Sequence, residues 1–466
     1  MNIIDAMNDP KLFGEQFSAD SFDNWRTLLK AFYGLPIGDN EQETCTALTK
    51  RDKLPEQAFK ELWLIIGRRG GKSQAAALIA VYEAFFNDHS AKLSAGEIAT
   101  TMVISGDRKQ ARSVFRYIKG LVDECPMLKA MVVRETTETL ELNNRSAIEI
   151  TTASHRRTRG YTCACIVSDE IAFWTDLGAN PDQEIIRALR PSLATLDGKL
   201  IALSSPYARR GVLWNAYREY FGKNDSNRVL VAQAPTALMN PTLDPDVITQ
   251  AYKEDEASAK AEYGALFRTD VESFISIDAV ERVVIPDRTE LPYARCNWYV
   301  AFVDAAGGSG QDSMTMAIAH KDKLTSKYIV DAVRAVNPPF SPQSVVEEFC
   351  SLLKAYNVRQ VTGDRWGGDW VGEQFRNKRI TYNPSAQTKS ELYSELLPLI
   401  NSEQIELPDI KQIKTELTGL ERKTSRSGKD SIDHAPSQHD DMINSVAGAL
   451  VNAAQRRQAI AAPRCG

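Results

Sequence analysis

The stretch Gly67-Arg68-Arg69-Gly70-Gly71-Lys72-Ser73 constrains the fold more tightly than any other part of this chain. It follows Leu62-Trp63-Leu64-Ile65-Ile66, an apolar run of buried-strand type, and precedes Gln74-Ala75-Ala76-Ala77-Leu78-Ile79-Ala80, a strong helix former. Strand, glycine turn and helix in that order build a cradle for a nucleoside triphosphate. Small residues let backbone N–H groups approach the phosphates, and the helix start adds partial positive charge. Lys72 is placed to reach the β- and γ-phosphates, and Ser73 to ligate magnesium. The loop is a shortened variant: Ile66 stands where the usual spacing has a glycine, with Gly67 next.

A second apolar strand, Cys165-Ile166-Val167, runs into Ser168-Asp169-Glu170. Asp169 suits the outer magnesium shell, and Glu170 is the candidate base for the attacking water. The strand Lys199 to Leu203 runs into Ser204-Ser205-Pro206, which puts both serines beside the γ-phosphate as candidate sensors of hydrolysis. Three arginines crowd His155-Arg156-Arg157-Thr158-Arg159-Gly160-Tyr161, and Arg159 is the candidate for stabilising transition-state charge on a neighbour's nucleotide, with Arg68 and Arg69 as rivals in cis. In the helical stretch from Asp23 to Lys30, Trp25 or Arg26 is placed to stack on adenine, while Trp25 reads equally well as a core anchor.

Further strands and helices alternate, with Thr101 to Ser105 a strand and Arg108 to Lys119 a helix, so an α/β fold with a mostly parallel, doubly wound sheet is expected. The organisation expected is a motor-type domain over 1–208, a lid and linker of helical connections over 209–290, and a second α/β domain over 291–466. A chain of 466 residues with 43% hydrophobic and 25% charged content has an ordinary globular balance, large enough for such cores. The net charge of −5 supplies no global positive field, so any nucleic-acid contact must come from local basic stripes. The seven cysteines lack zinc spacing and read as reduced, buried thiols. The start of the chain does not read as a signal segment, and no run of about 18 apolar residues occurs, so no membrane is expected.

The second half carries a different chemistry. Trp298 to Val303 is a strand delivering Asp304, and Met314 to His320 closes a hairpin with it. Tyr328 to Val336 adds a strand, Ser341 to Tyr356 a helix, and Gln360 to Gly363 a strand delivering Asp364. His439-Asp440-Asp441 then opens a late apolar helix. Each aspartate alone reads most simply as a cap or strand end. Asp304, Asp364, Asp440 and Asp441 together are what a phosphodiesterase with two magnesium or manganese ions about 4 Å apart requires. His439 is a further candidate for ligating or orienting the metal site. Lys411, Lys414, Arg422, Lys423, Arg426 and Lys429 face only Glu416 and Glu421, and read as a basic hairpin that guides DNA phosphates, or as an exposed charged loop.

In this combination the chain resembles the large terminase subunit of tailed bacteriophages, over nearly its whole length. The resemblance rests on the Gly67 to Ser73 loop, Arg159-Gly160 ahead of Asp169-Glu170, Ser204-Ser205-Pro206, and Asp304, Asp364, Asp440 and Asp441. It implies a P-loop ATPase joined to a ribonuclease H-like α/β nuclease domain. ATP and magnesium serve the motor, and magnesium or manganese the nuclease. Double-stranded DNA is the substrate to be moved into a procapsid and cut. Implied partners are a portal protein, a small terminase subunit and copies of the chain in a ring. The implied location is the host cytoplasm, at the procapsid portal during packaging, with no place in the mature virion. The family's adenine-side motif usually carries a glutamine, which the Trp25-Arg26 helix lacks. The alternative is a helicase or repair translocase with a fused nuclease, for which 209–290 is too short to supply a second motor domain.

Overall fold

The computed structural model describes residues 1–153, 160–174, 181–310, 312–364, 368–424, 430–435 and 438–461. They form two compact units that divide at Thr269 and Asp270.

The first unit is built on eight strands: β1 (Glu61–Ile66), β2 (Ala99–Ser105), β3 (Val132–Glu135), β4 (Thr139–Leu142), β5 (Ser146–Thr152), β6 (Thr162–Asp169), β7 (Lys199–Ser204) and β8 (Val229–Ala234). Their order is β3-β4-β5-β2-β6-β7-β1-β8. The six from β5 to β8 pair in parallel, and β4 and β3 extend the sheet antiparallel. Every residue of β1 and β2 is buried, as strands covered on both faces require. The Ala-rich helix Lys72–Phe85 is buried almost all round, so its small residues pack where a larger side chain would not fit. Because β7 lies between β1 and β6, the carboxyl ends of three strands bring the phosphate loop, Ser204 and Asp169-Glu170 to one rim.

The segment expected as a lid and linker over 209–290 divides between the units, which corrects that expectation. Val229 to Ala234 is the edge strand β8 of the first sheet, an apolar run whose period does not separate strand from helix. The helix pair Pro245–Glu254 and Glu256–Glu262 stays with the first unit. From Asp270 the chain enters the second unit as β9 (Val271–Ser273), a helix at Ile277–Val283 and β10 (Val284–Ile285).

The second unit continues with β11 (Tyr299–Asp304), β12 (Met314–Lys321), β13 (Tyr328–Val336), β14 (Gln360–Gly363), β15 (Thr381–Pro384), β16 (Ile405–Pro408), β17 (Leu420–Thr424) and β18 (Asp430–His434). Its main sheet has the order β10-β16-β13-β12-β11-β14-β15, with β11, β12 and β13 antiparallel and β14 parallel to β11. Strand alternation separates two cores. Phe302, Ala317 and Val333 share a core with the helix Asp441–Ala461, whereas Val303, Met316 and Ala332 pack with Val345, Phe349 and Leu353 of the helix Pro342–Ala355. Gly448 lets the late helix lie close on the sheet, since a Cβ there would meet the Phe302 ring at 2.2 Å. Gly448→Ala is therefore expected to lose about 1–3 kcal/mol through overpacking, read from the shift of the urea midpoint.

Candidate functional site

In the first unit the phosphate loop is held by its own glycines and by the segment after β8. A Cβ on Gly67 would lie 2.3 Å from Thr236 Oγ1, and Gly71 adopts the left-handed φ of 87°. Thr236 Oγ1 donates to Arg68 O at 2.7 Å, and Asn240 Nδ2 donates to Arg69 O at 2.9 Å. Arg68 is largely exposed and pairs with Glu262 at 3.2 Å. Ser73, partly buried, occupies the first turn of the helix beside Lys72.

Lys72 is 6% exposed, and its Nζ donates to Ile66 O at 2.9 Å, Gly67 O at 3.3 Å and Ser205 Oγ at 2.9 Å. Glu170 lies 3.8 Å away. Burial holds the ammonium below the usual lysine range, and Glu170 and Asp169 oppose that shift. Asp169 is pushed up to about 7, first by burial and then by Glu170. Its Oδ1 is buried without a hydrogen-bond partner among the described residues, which suits a carboxylate facing a cation and its water shell. Glu170 sits at φ 48°, a conformation that costs a non-glycine residue about 1–3 kcal/mol. There its Oε2 accepts from Ser204 Oγ at 2.9 Å and from the Ser205 N–H at 3.3 Å. The Trp174 indole donates to Asp169 O at 2.8 Å and pins this turn.

Two expectations change. Trp25 is 1% exposed, and its indole donates to Gly70 O at 3.1 Å. It anchors the loop from within the core and offers no face to a base. Arg26 is spent on Phe17 O, Ala19 O and Asp23 and likewise does not present a stacking surface. Arg159 lies outside the described residues.

In the second unit, Asp304 ends β11 and Asp364 follows β14 on the neighbouring strand. Asn444, one turn into the late helix, ties them together: its Nδ2 donates at 2.9 Å to Asp304 Oδ2 and at 2.9 Å to Asp364 Oδ2. Burial first, then Asp364, raises the Asp304 carboxyl well above the usual range, with Asp441 and Asp440 adding to it and Asn444 opposing. The four aspartates thus share one neighbourhood. Asp441 Oδ2 accepts from the Ser313 N–H at 2.7 Å, and its carbonyl accepts from Thr315 Oγ1 at 2.6 Å. Asp440 accepts from the Tyr393 hydroxyl at 2.9 Å and lies 3.0 Å from Lys389 Nζ. Buried, mutually repelling carboxylates with hard oxygen donors fit divalent cations of the magnesium class. His439, half-exposed, lies 3.7 Å from Asp312, and these two share with Asp441 a cluster whose donor atoms lie within 4.8 Å of one another.

Glu416 is a neighbour that sequence reasoning had counted only as a counter-charge. It is buried, accepts from the Ile443 N–H at 2.8 Å, and is pushed up to about 7 by burial and, to a lesser degree, by Asp441 and Asp440. The basic stretch is a hairpin only in part. Arg422 and Lys423 lie on β17, whereas Lys411 and Lys414 lie on the helix Lys411–Gly419, and Lys414 pairs with Asp409. Arg426 and Lys429 lie outside the described residues.

Asp169 and Glu416 give the metal-free protein a pH dependence of definite sign. Both carboxyls rise to about 7 from 3.8 and 4.5 on folding. Between those values the unfolded chain ionises first, so their contribution to stability falls as pH rises and then levels off above about 7. A divalent cation bound beside these carboxylates would offset that cost. The rise in melting temperature on adding manganese is accordingly expected to be larger at about pH 8 than at about pH 5 by scanning calorimetry.

The two sites lie in a P-loop unit and in a mixed α/β unit that carries an acidic cluster. A family model described as the N-terminal P-loop domain of the uncharacterized protein MJ0330 matches residues 36–265. The terminase large subunit of Thermus virus P23-45 is 23% identical over 431 residues, covering 82% of each chain. That of Thermus phage G20c gives the same identity and coverage. Among solved structures, the HK97 bacteriophage large terminase aligns with 92% of this chain and 99% of its own at 14% identity and a TM-score of 0.39. The magnesium-bound large terminase nuclease of phage G20c aligns with 38% of this chain and 96% of its own at 21% identity and a TM-score of 0.34. Over 431 aligned residues the chain is similar to large terminase subunits.

Proposed function

We propose that this protein is a packaging terminase large subunit, which drives double-stranded DNA into a procapsid by ATP hydrolysis and cuts the concatemer with a metal-dependent nuclease. The observation that carries the reading is the pairing, in one chain, of the Lys72–Glu170–Ser204 cluster with two aspartates bridged by Asn444.

Lys72 exchanges its carbonyl seats for the phosphate oxygens of ATP, and the backbone N–H groups from Gly67 to Ser73, with Arg68 and Arg69 in the same loop, surround them. Glu170 takes the proton of the attacking water. Ser204 and Ser205, which hold Glu170, transmit the change in the γ-phosphate. Arg159 from a neighbouring copy stabilises the transition-state charge. Ser73 and Asp169 would hold magnesium in the motor, and Asp304, Asp364, Asp440 and Asp441 would hold it or manganese in the nuclease, where the cation would supply counter-charge to phosphate oxygens and lower the pKa of water. In the nuclease Asn444 keeps Asp304 and Asp364 aimed at the same point before a cation arrives. Arg422 and Lys423 on β17 guide DNA phosphates toward the cluster.

The partners that follow are a portal protein, a small terminase subunit and further copies in a ring, at the procapsid portal in the host cytoplasm, with departure before the virion matures. Procapsids carrying their portal, mixed with this protein and linear DNA, are expected to protect the DNA from DNase only when ATP is present. Equal protection without ATP, or none with it, contradicts the motor.

A further inference from the structure

Lys389 is an unusual residue to find where it is. It is the first residue of the helix Lys389–Asn401, behind the Thr388 cap, where the helix dipole disfavours a cation. Two carboxylates compensate. Lys389 Nζ lies 3.0 Å from Asp440 Oδ2 and 3.3 Å from its Oδ1, and 2.7 Å from Asp433 Oδ1. The two acids differ in setting. Asp440 is buried beside the aspartates of the nuclease cluster, while the Asp433 side chain is about half-exposed, at 47%, on the hairpin strand β18. Strand β18 is stitched to the same helix start, since the Ile432 N–H donates to Ser390 Oγ at 2.9 Å. The Tyr393 hydroxyl also donates to Asp440 Oδ2 at 2.9 Å, so both oxygens of this aspartate are engaged by the protein itself.

We propose that the Lys389 ammonium is a tethered cation that occupies Asp440 in place of a divalent ion, and that metal enters only as Lys389 shifts its weight onto Asp433. The inference rests on the nuclease reading above and deepens it by naming a residue that sets metal loading. A buried carboxylate left without a counter-charge is costly, and Lys389 supplies that charge while the site waits for metal. An ammonium and a divalent ion cannot share the same oxygens of Asp440 without repelling each other, so the two compete. Asp433, already in contact and about half-exposed, gives the displaced ammonium a seat without breaking the helix start. Because Asp433 belongs to the hairpin strand, whatever rearranges β17 and β18 changes how readily the site takes metal.

The test is calorimetric titration of Mn²⁺ into the DNA-free full chain and into Lys389→Met, Asp433→Asn and the double variant. Lys389→Met is expected to tighten the strongest Mn²⁺ site by about tenfold, as loss of an adjacent like charge requires. Asp433→Asn is expected to weaken it several-fold in the parent chain and to have almost no effect once Lys389 is gone. Weaker or unchanged binding in Lys389→Met, or an Asp433→Asn effect of equal size in both backgrounds, overturns the proposal. Lys389→Arg, which keeps the charge, is the control for folding and is expected to bind Mn²⁺ within a few-fold of the parent. Nicking of supercoiled DNA by the parent chain is scored separately. The affinity pattern without nicking removes the nuclease reading and leaves the competition standing, whereas nicking without the pattern does the reverse.

Discussion

Glu170→Ala is expected to lower the rate of ATP hydrolysis by about 1,000-fold, within the range a positioned general base contributes, while nucleotide binding persists. The reason lies in the turn after β6. Glu170 is held at φ 48° with its carboxylate bonded to Ser204 and the Ser205 N–H, and it lies 3.8 Å from Lys72 in the loop. Alanine removes the proposed base and leaves the phosphate loop's own contacts in place. Glu170→Gln keeps a carbonyl oxygen to accept from Ser204 and so preserves the turn, yet has no basic oxygen, and its rate is expected to fall as far as that of alanine. Full turnover in either variant, measured as released phosphate at saturating ATP, contradicts the assignment of the base.

Asp364→Asn is expected to cost DNA cleavage more than the roughly 10- to 100-fold that disturbing a partner of a metal ligand costs, because on the proposed reading it removes a ligand itself. ATP hydrolysis should be unaffected, since Asp364 belongs to the second unit. The same change relieves a repulsion. Asp364 is raised above the usual carboxylate range, chiefly by burial, and is itself the largest charge acting to raise Asp304. With the charge gone, the metal-free protein should melt at a higher temperature than the parent at about pH 8. A variant that is more stable, hydrolyses ATP and does not cut separates chemistry from folding in one comparison. A variant that cuts normally removes Asp364 from the cluster's chemistry.

Much of the motor was legible in the sequence because its parts are contiguous. A strand, a glycine loop and a helix start lie within a dozen residues, and Asp169-Glu170 and Ser204-Ser205 each end an apolar run. The carboxylates of the second unit were legible for the same reason: each sits at the end of a regular element. What escaped was of another kind. Asn444 is an amide on an apolar helix, and only the convergence of β11, β14 and that helix makes it the bridge between Asp304 and Asp364. Lys389 lies 51 positions from Asp440, and no spacing announces their contact. For Trp25 the sequence allows base stacking or the core, because an indole serves both, and burial against Gly70 decides it. β8 was hidden because Val229 to Ala232 has no alternation, as a buried parallel strand does not.

The central claim is that a phosphate-loop motor and a metal-dependent nuclease share this polypeptide, each with cation-holding oxygens of its own. An anomalous difference map from crystals of the full chain grown with Mn²⁺ and a non-hydrolysable ATP analogue tests both halves at once. The prediction is density beside Ser73 and Asp169 at the nucleotide phosphates, and separate density among Asp304, Asp364, Asp440 and Asp441. A fully occupied motor site with the aspartates of the second unit empty at saturating Mn²⁺ contradicts it.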